Sequence, residues 1–390
     1  MNKKMSNKSG HKTLLSFLLL MVISISISFA QTKIELINGT EVTIKSKVLD
    51  EERVMSIFLP EDYDLTSRKY PVLYLLDGPT HFHHATGAVN FLSNQGIIPQ
   101  MIIVSIHNVD RNRDFSPVHD ERIPTSGGAE KFLDFLSDEL IKFINDNYRI
   151  SNFSILCGHS FGGTFTTYTL LEKPELFDGY IAISPYLQYV DNYLVKEARK
   201  MLRSDYDNQK YFYLTVGDEP DYYSALGEFS SLIEEKSNEI IDFEYSKMEN
   251  ENHATIPYLS VFNGLKFIFS DWQLPELNIK QGLSAIDEHY ATISAKYDLE
   301  NAAPENVINL LGYTYLQNQD IKNAIAVFTE NTKRYPDSSN VYDSLGEAYE
   351  TNNQLELAKE NYQKAYDLGR EQNNANTSIY QKNLNRVQQK

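Results

Sequence analysis

A single cysteine, Cys157, stands in a chain of 390 residues. One thiol closes no intrachain disulfide, builds no cysteine-ligated zinc site and holds no iron–sulfur cluster, so cofactor chemistry through sulfur is excluded. Basic residues are also scarce: 36 Lys and Arg face 53 Asp and Glu, a net charge of −17. Nucleic-acid recognition starts from a basic patch, and this balance argues against nucleic acid as a partner. Past residue 31 no apolar run reaches the roughly 20 residues that a stable membrane span needs. Core material is abundant, with 42% hydrophobic and 12% aromatic residues, far from the composition of a disordered chain. The length suits two domains, or one large domain with an appendage.

The long apolar stretch lies at the N-terminus. Lys3, Lys4, Lys8 and Lys12 make a basic start, residues 14–29 an apolar segment, and Ser28 and Ala30 small residues ahead of Gln31. This is the pattern of a secretory signal peptide over residues 1–30; it is short for an anchor and diluted by Ser16, Ser24 and Ser26. The mature chain is expected to begin at Gln31, and without the leader lysines its net charge is −21. Export without disulfides suits a bacterial envelope, periplasmic or secreted, better than a small disulfide-dense scaffold.

From residue 31 to 274 the pattern is β-rich, then alternating. Strands are expected at 34–44, 53–59, 71–76, 101–106, 153–157, 180–183, 211–216 and 241–246, with helical patterns between most of them and a helix at about 129–147. Largely apolar strands alternating with helices predict an α/β fold, a mostly parallel doubly wound sheet with ligands at the carboxyl ends of its strands. Residues 275–390 are dominated by helix formers and form a small all-α domain. Leu311-Gly312, Tyr315, Ala324 and Phe328 recur 34 residues later as Leu345-Gly346, Tyr349, Ala358 and Tyr362. The period resembles two tetratricopeptide repeats, at about 305–338 and 339–372, with Arg370 where the first copy has Pro336. The segment 279–297 is expected as an extra helical layer against them, or the repeats lean on the larger domain. The Gln- and Asn-rich residues after about Glu371 are expected to fray. The helical domain reads either as a stabilising tail or as a groove for a protein partner.

Gly158-His-Ser-Phe-Gly-Gly163 follows directly on the strand 153–157 and opens a helix-compatible run. In this G-x-S-x-G the turn from strand to helix is so tight that glycines must flank the serine, which lifts the Ser160 hydroxyl above the sheet. The Phe161 N–H then lies at a helix start, able to donate to an oxyanion. The order expected in such hydrolases is serine, acid, histidine. Downstream of Ser160 only His253 and His289 remain; His253, in a polar loop beyond the last strand, is the expected base, and His289 is a surface residue of the helical tail. The acid belongs after the strand 211–216, where Asp218, Glu219 and Asp221 all stand.

With Pro71-Val-Leu-Tyr-Leu-Leu-Asp-Gly78, the serine motif, Asn252-His253 and Gly264-Leu-Lys-Phe-Ile268, residues 35–270 resemble the putative esterase family. That family includes enterochelin esterases, feruloyl esterases, S-formylglutathione hydrolases and mycolyltransferases. The resemblance implies an α/β-hydrolase fold, no cofactor, and a small-molecule or carbohydrate-linked carboxylic ester as substrate. It makes Glu219, ahead of Pro220, the first choice for the acid, with Asp218 and Asp221 as alternatives. It also places a second oxyanion donor just after Asp77-Gly78, where Pro79 has no N–H, leaving Gly78 or Thr80. His81, His83 and His84 then line the cleft or start a helix rather than hold a metal, since no H-E-x-x-H pattern accompanies them. His81, Arg111, Arg113 and His159 fall on the substrate side. A guanidinium of the Arg111 loop grips an anionic substrate, or pairs with Asp114 to hold the loop. The aromatic segment 186–193 covers the cleft or packs.

The expected function is an exported serine esterase working through an acyl-enzyme. The same triad serves an acyltransferase or a peptidase, and an idle α/β domain with recruiting repeats is the non-enzymatic alternative.

Overall fold

The computed structural model describes residues 39–390, apart from 62, 204, 205, 207, 238, 239, 300 and 301. The expected leader, residues 1–30, and the first residues of the earliest expected strand lie outside the described residues. The strands are β1 (Thr40–Ser46), β2 (Glu51–Phe58), β3 (Tyr70–Leu75), β4 (Ile102–Ile106), β5 (Ile150–His159), β6 (Gly179–Ile183), β7 (Lys210–Val216) and β8 (Ile241–Lys247). They form one eight-stranded sheet in the order β1-β2-β4-β3-β5-β6-β7-β8. β1 with β2 and β2 with β4 are antiparallel, and every other pair is parallel. The inner strands β3, β4, β6 and β7 are buried along their whole length, which is why they read as unbroken apolar runs rather than as alternation.

The helices of the sheet region are α1 (Gly78–Asn94), α2 (Arg111–Phe115), α3 (Ala129–Phe135), α4 (Ile141–Asn147), α5 (Phe161–Glu172), α6 (Tyr189–Met201), α7 (Pro220–Lys236) and α8 (Ile256–Ile268). A π-helical turn, Leu136–Leu140, joins α3 to α4. After β3 the chain crosses to β4 on one side and returns to β5 on the other. This reversal puts a topological switch point at the carboxyl ends of β3 and β5, the place where open α/β sheets bind ligands.

The remaining helices are α9 (Glu276–Gln281), α10 (Leu283–Tyr297), α11 (Glu305–Gln317), α12 (Ile321–Arg334), α13 (Ser339–Thr351), α14 (Leu355–Glu371) and α15 (Thr377–Gln388). α10 serves both layers. Its Tyr297 ring packs edge-on against Phe153 of β5 at 4.9 Å and donates its hydroxyl to Ile268 O at 3.1 Å, while Ile286 and Ile293 share a buried cluster with Ile308, Leu311 and Val327. The helical hairpins are thereby continuous with the core beneath the sheet. The 34-residue spacing has a steric cause: Gly312 faces the Phe328 ring, and a Cβ on Gly346 would lie 2.7 Å from the Tyr362 ring, so close helix crossing requires glycine there.

The expectation of fraying after Glu371 is corrected. α15 buries Tyr380, Leu384 and Val387, and Arg386 bonds Glu350 of α13. Spacings of four and three put these apolar side chains on one helix face, so the helix docks despite its polar average. Among the described residues no helix is long and apolar enough to cross a membrane.

Candidate active site

β5 runs into α5 through Ser160, whose backbone has φ 58° and ψ −118°. A non-glycine residue with such angles is strained by about 1–3 kcal/mol, and the surroundings hold it: Ser160 N–H donates to Ile183 O at 2.8 Å. Glycine is obligatory on both sides. A Cβ at Gly158 would collide with the Gly162 carbonyl, and one at Gly163 would sit 2.9 Å from Ile183 O. The turn therefore presents the serine at the start of α5, with Phe161 as its first residue.

His253 lies between β8 and α8 on a loop fixed by Asn252, whose side-chain oxygen accepts the Ala254 N–H at 2.9 Å. That loop is sewn to the one after β7 by the Asp218 N–H, which donates to Glu251 O at 2.8 Å. Glu219 Oε1 stands 2.5 Å from His253 Nδ1. Its other oxygen accepts from Ser184 Oγ at 2.5 Å and Gly217 N–H at 3.1 Å. The carboxylate is thus held at both oxygens and fixes the imidazole through Nδ1, leaving Nε2 to exchange a proton. On its other side the His253 ring lies against that of His159, the residue before Ser160, with centroids 4.4 Å apart. An imidazole held by a carboxylate and packed on the residue before a strained serine at a helix start can take a proton from a hydroxyl as it attacks a carbonyl.

Asp218 and Asp221 are exposed, and neither contacts His253. Asp77 takes a left-handed conformation, φ 54°, and Gly78 and Pro79 then begin α1, where a proline N–H would have no helical partner anyway. Thr80 N–H is occupied by Asp77 O at 3.0 Å. The Asp77 carboxylate reaches the elbow: a Cβ on Gly162 would be 3.1 Å from its Oδ2, so the starts of α1 and α5 lie side by side. Arg111 binds that carboxylate, whereas Arg113 is taken up by Glu51 at 2.6 Å and Asp114 at 2.8 Å. The aromatic segment packs: Tyr186 sets its ring against Phe161 at 5.6 Å and Tyr222 at 5.9 Å. His289 lies in the helical region, 3.3 Å from Trp272 O. Ser184 and Asn108 support the site without having been singled out as site residues, and Asp77 had stood only as part of the Asp77-Gly78 motif; each stands just past the carboxyl end of a strand, the signal that marks them.

His81, His84 and His159 form a packed group. His81 Nδ1 and His84 Nε2 are 2.9 Å apart, and the His81 ring meets His159 edge-on at 5.6 Å. Among the described residues no group of three or more His, Cys, Asp or Glu is arranged to hold a metal. Burial pushes His84 down to about 4 and, with help from the neighbouring His253 and His81, His159 down to about 3. Both are bases whose folded values lie below the ordinary 6.5, so the unfolded chain binds more protons between 6.5 and those values. Their contribution is intact above pH 6.5 and is lost as the pH falls toward 4. Thermal unfolding from pH 7.5 to 4.5 is expected to show a falling Tm, less steep in His84→Gln; an identical slope in the variant would refute the assignment.

A sequence profile of the family described as "Putative esterase" matches residues 46–284, and a tetratricopeptide-repeat profile matches 306–338 and 339–370. The ferri-bacillibactin esterase BesA of Bacillus subtilis is 28% identical over 260 residues, covering 59% of this chain and 90% of that protein. A siderophore triacetylfusarinine C esterase of Aspergillus fumigatus is 25% identical over 259 residues, 54% of this chain and 86% of its own. The crystal structure of an IroE-like serine hydrolase from Shewanella oneidensis superposes with a TM-score of 0.65 at 24% identity, covering 76% of this chain and 99% of the other, and shares the fold. With this sheet and elbow, a family match over more than half its length and relatives that are esterases, the chain belongs to the putative esterase family and is a carboxylic ester hydrolase carrying tetratricopeptide repeats.

Proposed function

We propose that the protein is an exported serine esterase using Ser160, His253 and Glu219, with residues 31–274 as the catalytic domain and 275–390 as the helical one. The observation that carries this reading is the placement of His253 between the Glu219 carboxylate and the elbow. Ser160 Oγ attacks the ester carbonyl carbon while His253 Nε2 takes its proton. The carbonyl oxygen becomes an oxyanion facing the N–H groups of Phe161 and Gly78. Collapse breaks the bond to the alcohol, which leaves with the proton from His253. Water then attacks the acyl-enzyme by the same route and frees Ser160. Throughout, Glu219 stabilises the imidazolium and holds its tautomer.

The substrate class we favour is a siderophore ester, on the strength of relatives named as a siderophore triacetylfusarinine C esterase and a ferri-bacillibactin esterase. Export rests on the leader pattern of residues 1–30, and a protein partner on the repeats. The test is hydrolysis of short- and long-chain p-nitrophenyl esters and of a trilactone siderophore by the protein from Gln31, with fluorophosphonate labelling. Turnover with labelling at Ser160 is the expected result; no turnover and no label would sink the reading.

A further inference from the structure

Arg111 is placed to act on the elbow rather than on a substrate. Its Nε donates to Asp77 Oδ1 at 2.7 Å, and its Nη2 to Asp77 Oδ2 at 3.1 Å and to His159 O at 3.0 Å. Asn108 Nδ2 donates to the same Asp77 Oδ1 at 2.6 Å. The guanidinium carbon also lies 5.9 Å from the Phe161 ring centroid. One planar cation therefore touches the residue before Gly78, the carbonyl before Ser160 and the side chain after it. These belong to the two strand ends whose N–H groups must converge on one oxygen.

We propose that Arg111 is a positioning residue that clasps the two walls of the oxyanion hole, setting Gly78 against Phe161 through the Asp77 carboxylate and the His159 carbonyl. The inference rests on the serine-esterase reading above. Its physical basis is the rigid fork of arginine, which engages a carboxylate with two donors and keeps one for a carbonyl. A lysine ammonium has the charge but cannot hold all three oxygens in one plane. Asp77 sits in left-handed backbone, a conformation that must be held from outside, and Arg111 and Asn108 hold its carboxylate.

The clasp acts on a charge present only in the tetrahedral state, so its loss should appear in kcat and not in KM. The experiment measures both constants for p-nitrophenyl acetate, which is neutral, and mono-p-nitrophenyl succinate, which is anionic. The enzymes are wild type, Arg111→Gln, Arg111→Lys, Asp77→Asn and Ser160→Ala, normalised to active sites and checked for Tm. Removing one oxyanion donor costs about 10²–10³ in kcat, and a displaced donor should cost part of that. We expect Arg111→Gln and Asp77→Asn to lower kcat by about 10- to 100-fold for both esters with KM nearly unchanged. Arg111→Lys should fall between them and wild type, and the fluorophosphonate labelling rate should drop in parallel. A higher KM confined to the succinate ester would make Arg111 a substrate anchor and overturn the clasp, as would wild-type kcat in Arg111→Gln. If Arg111→Gln does not fold, Arg111→Lys decides on the same criteria. Turnover surviving in Ser160→Ala would fell the esterase reading and the clasp together, whereas its loss beside an unaffected Arg111→Gln fells the clasp alone.

Discussion

Ser160→Ala and His253→Ala are each expected to lower kcat by about 10⁴- to 10⁶-fold while leaving KM within a fewfold of wild type, and the double variant to be no worse than either. The near-equality follows from the geometry. Ser160 is held at φ 58° in the tight turn from β5 into α5, and His253 is fixed at Nδ1 by Glu219 so that Nε2 is its remaining basic atom. Neither group has a partner role without the other: a serine with no base attacks as a neutral hydroxyl, and a base with no serine can activate only an unpositioned water. Residual catalysis would come from the helix starts of α1 and α5 and from substrate binding, which both variants keep. Single-turnover kinetics on a p-nitrophenyl ester read the result directly. Additive losses in the double variant would show that the two residues act on separate steps and would break the triad reading.

The fold was legible because burial and connectivity leave coarse marks. β3, β4, β6 and β7 are buried on both faces and spell continuous apolar runs, and the elbow requires glycines at 158 and 163 whatever surrounds it. Three other features were not legible in the residues themselves, each for its own reason, and the preference for Glu219 rested on the family resemblance. Asp218, Glu219 and Asp221 lie within four residues, and only the backbone of the turn decides which carboxylate faces the histidine: Asp218 is tied through its N–H to Glu251 O, and Asp221 is already in the exposed first turn of α7. Arg111 and Arg113 are two residues apart on a short helix, so their side chains diverge, one to Asp77 and the other to Glu51. Composition hid the last helix, because eight polar residues of α15 mask an apolar stripe made by Tyr380, Leu384 and Val387.

Glu219→Gln tests the acid and should be nearly as severe, lowering kcat by about 10⁴-fold, some 5.5 kcal/mol of transition-state stabilisation, with little change in fold or KM. The amide is the same size as the carboxylate and can still accept the Ser184 hydroxyl and the Gly217 N–H through its oxygen. With the oxygen so engaged, its NH₂ group faces His253 Nδ1 and donates to it. That forces the proton onto Nε2, the atom that must be bare to accept one from Ser160, and it removes the negative charge that stabilises the imidazolium. Asp218→Asn and Asp221→Asn, made in parallel, should stay within about threefold of wild type, since exposed charges that touch no reacting group contribute little. A fall in kcat on raising the pH that is steeper in Glu219→Gln would contradict this picture, because the variant's defect is a tautomer and not a titration. A large loss in Asp218→Asn or Asp221→Asn with activity retained in Glu219→Gln would transfer the role of the acid to that residue.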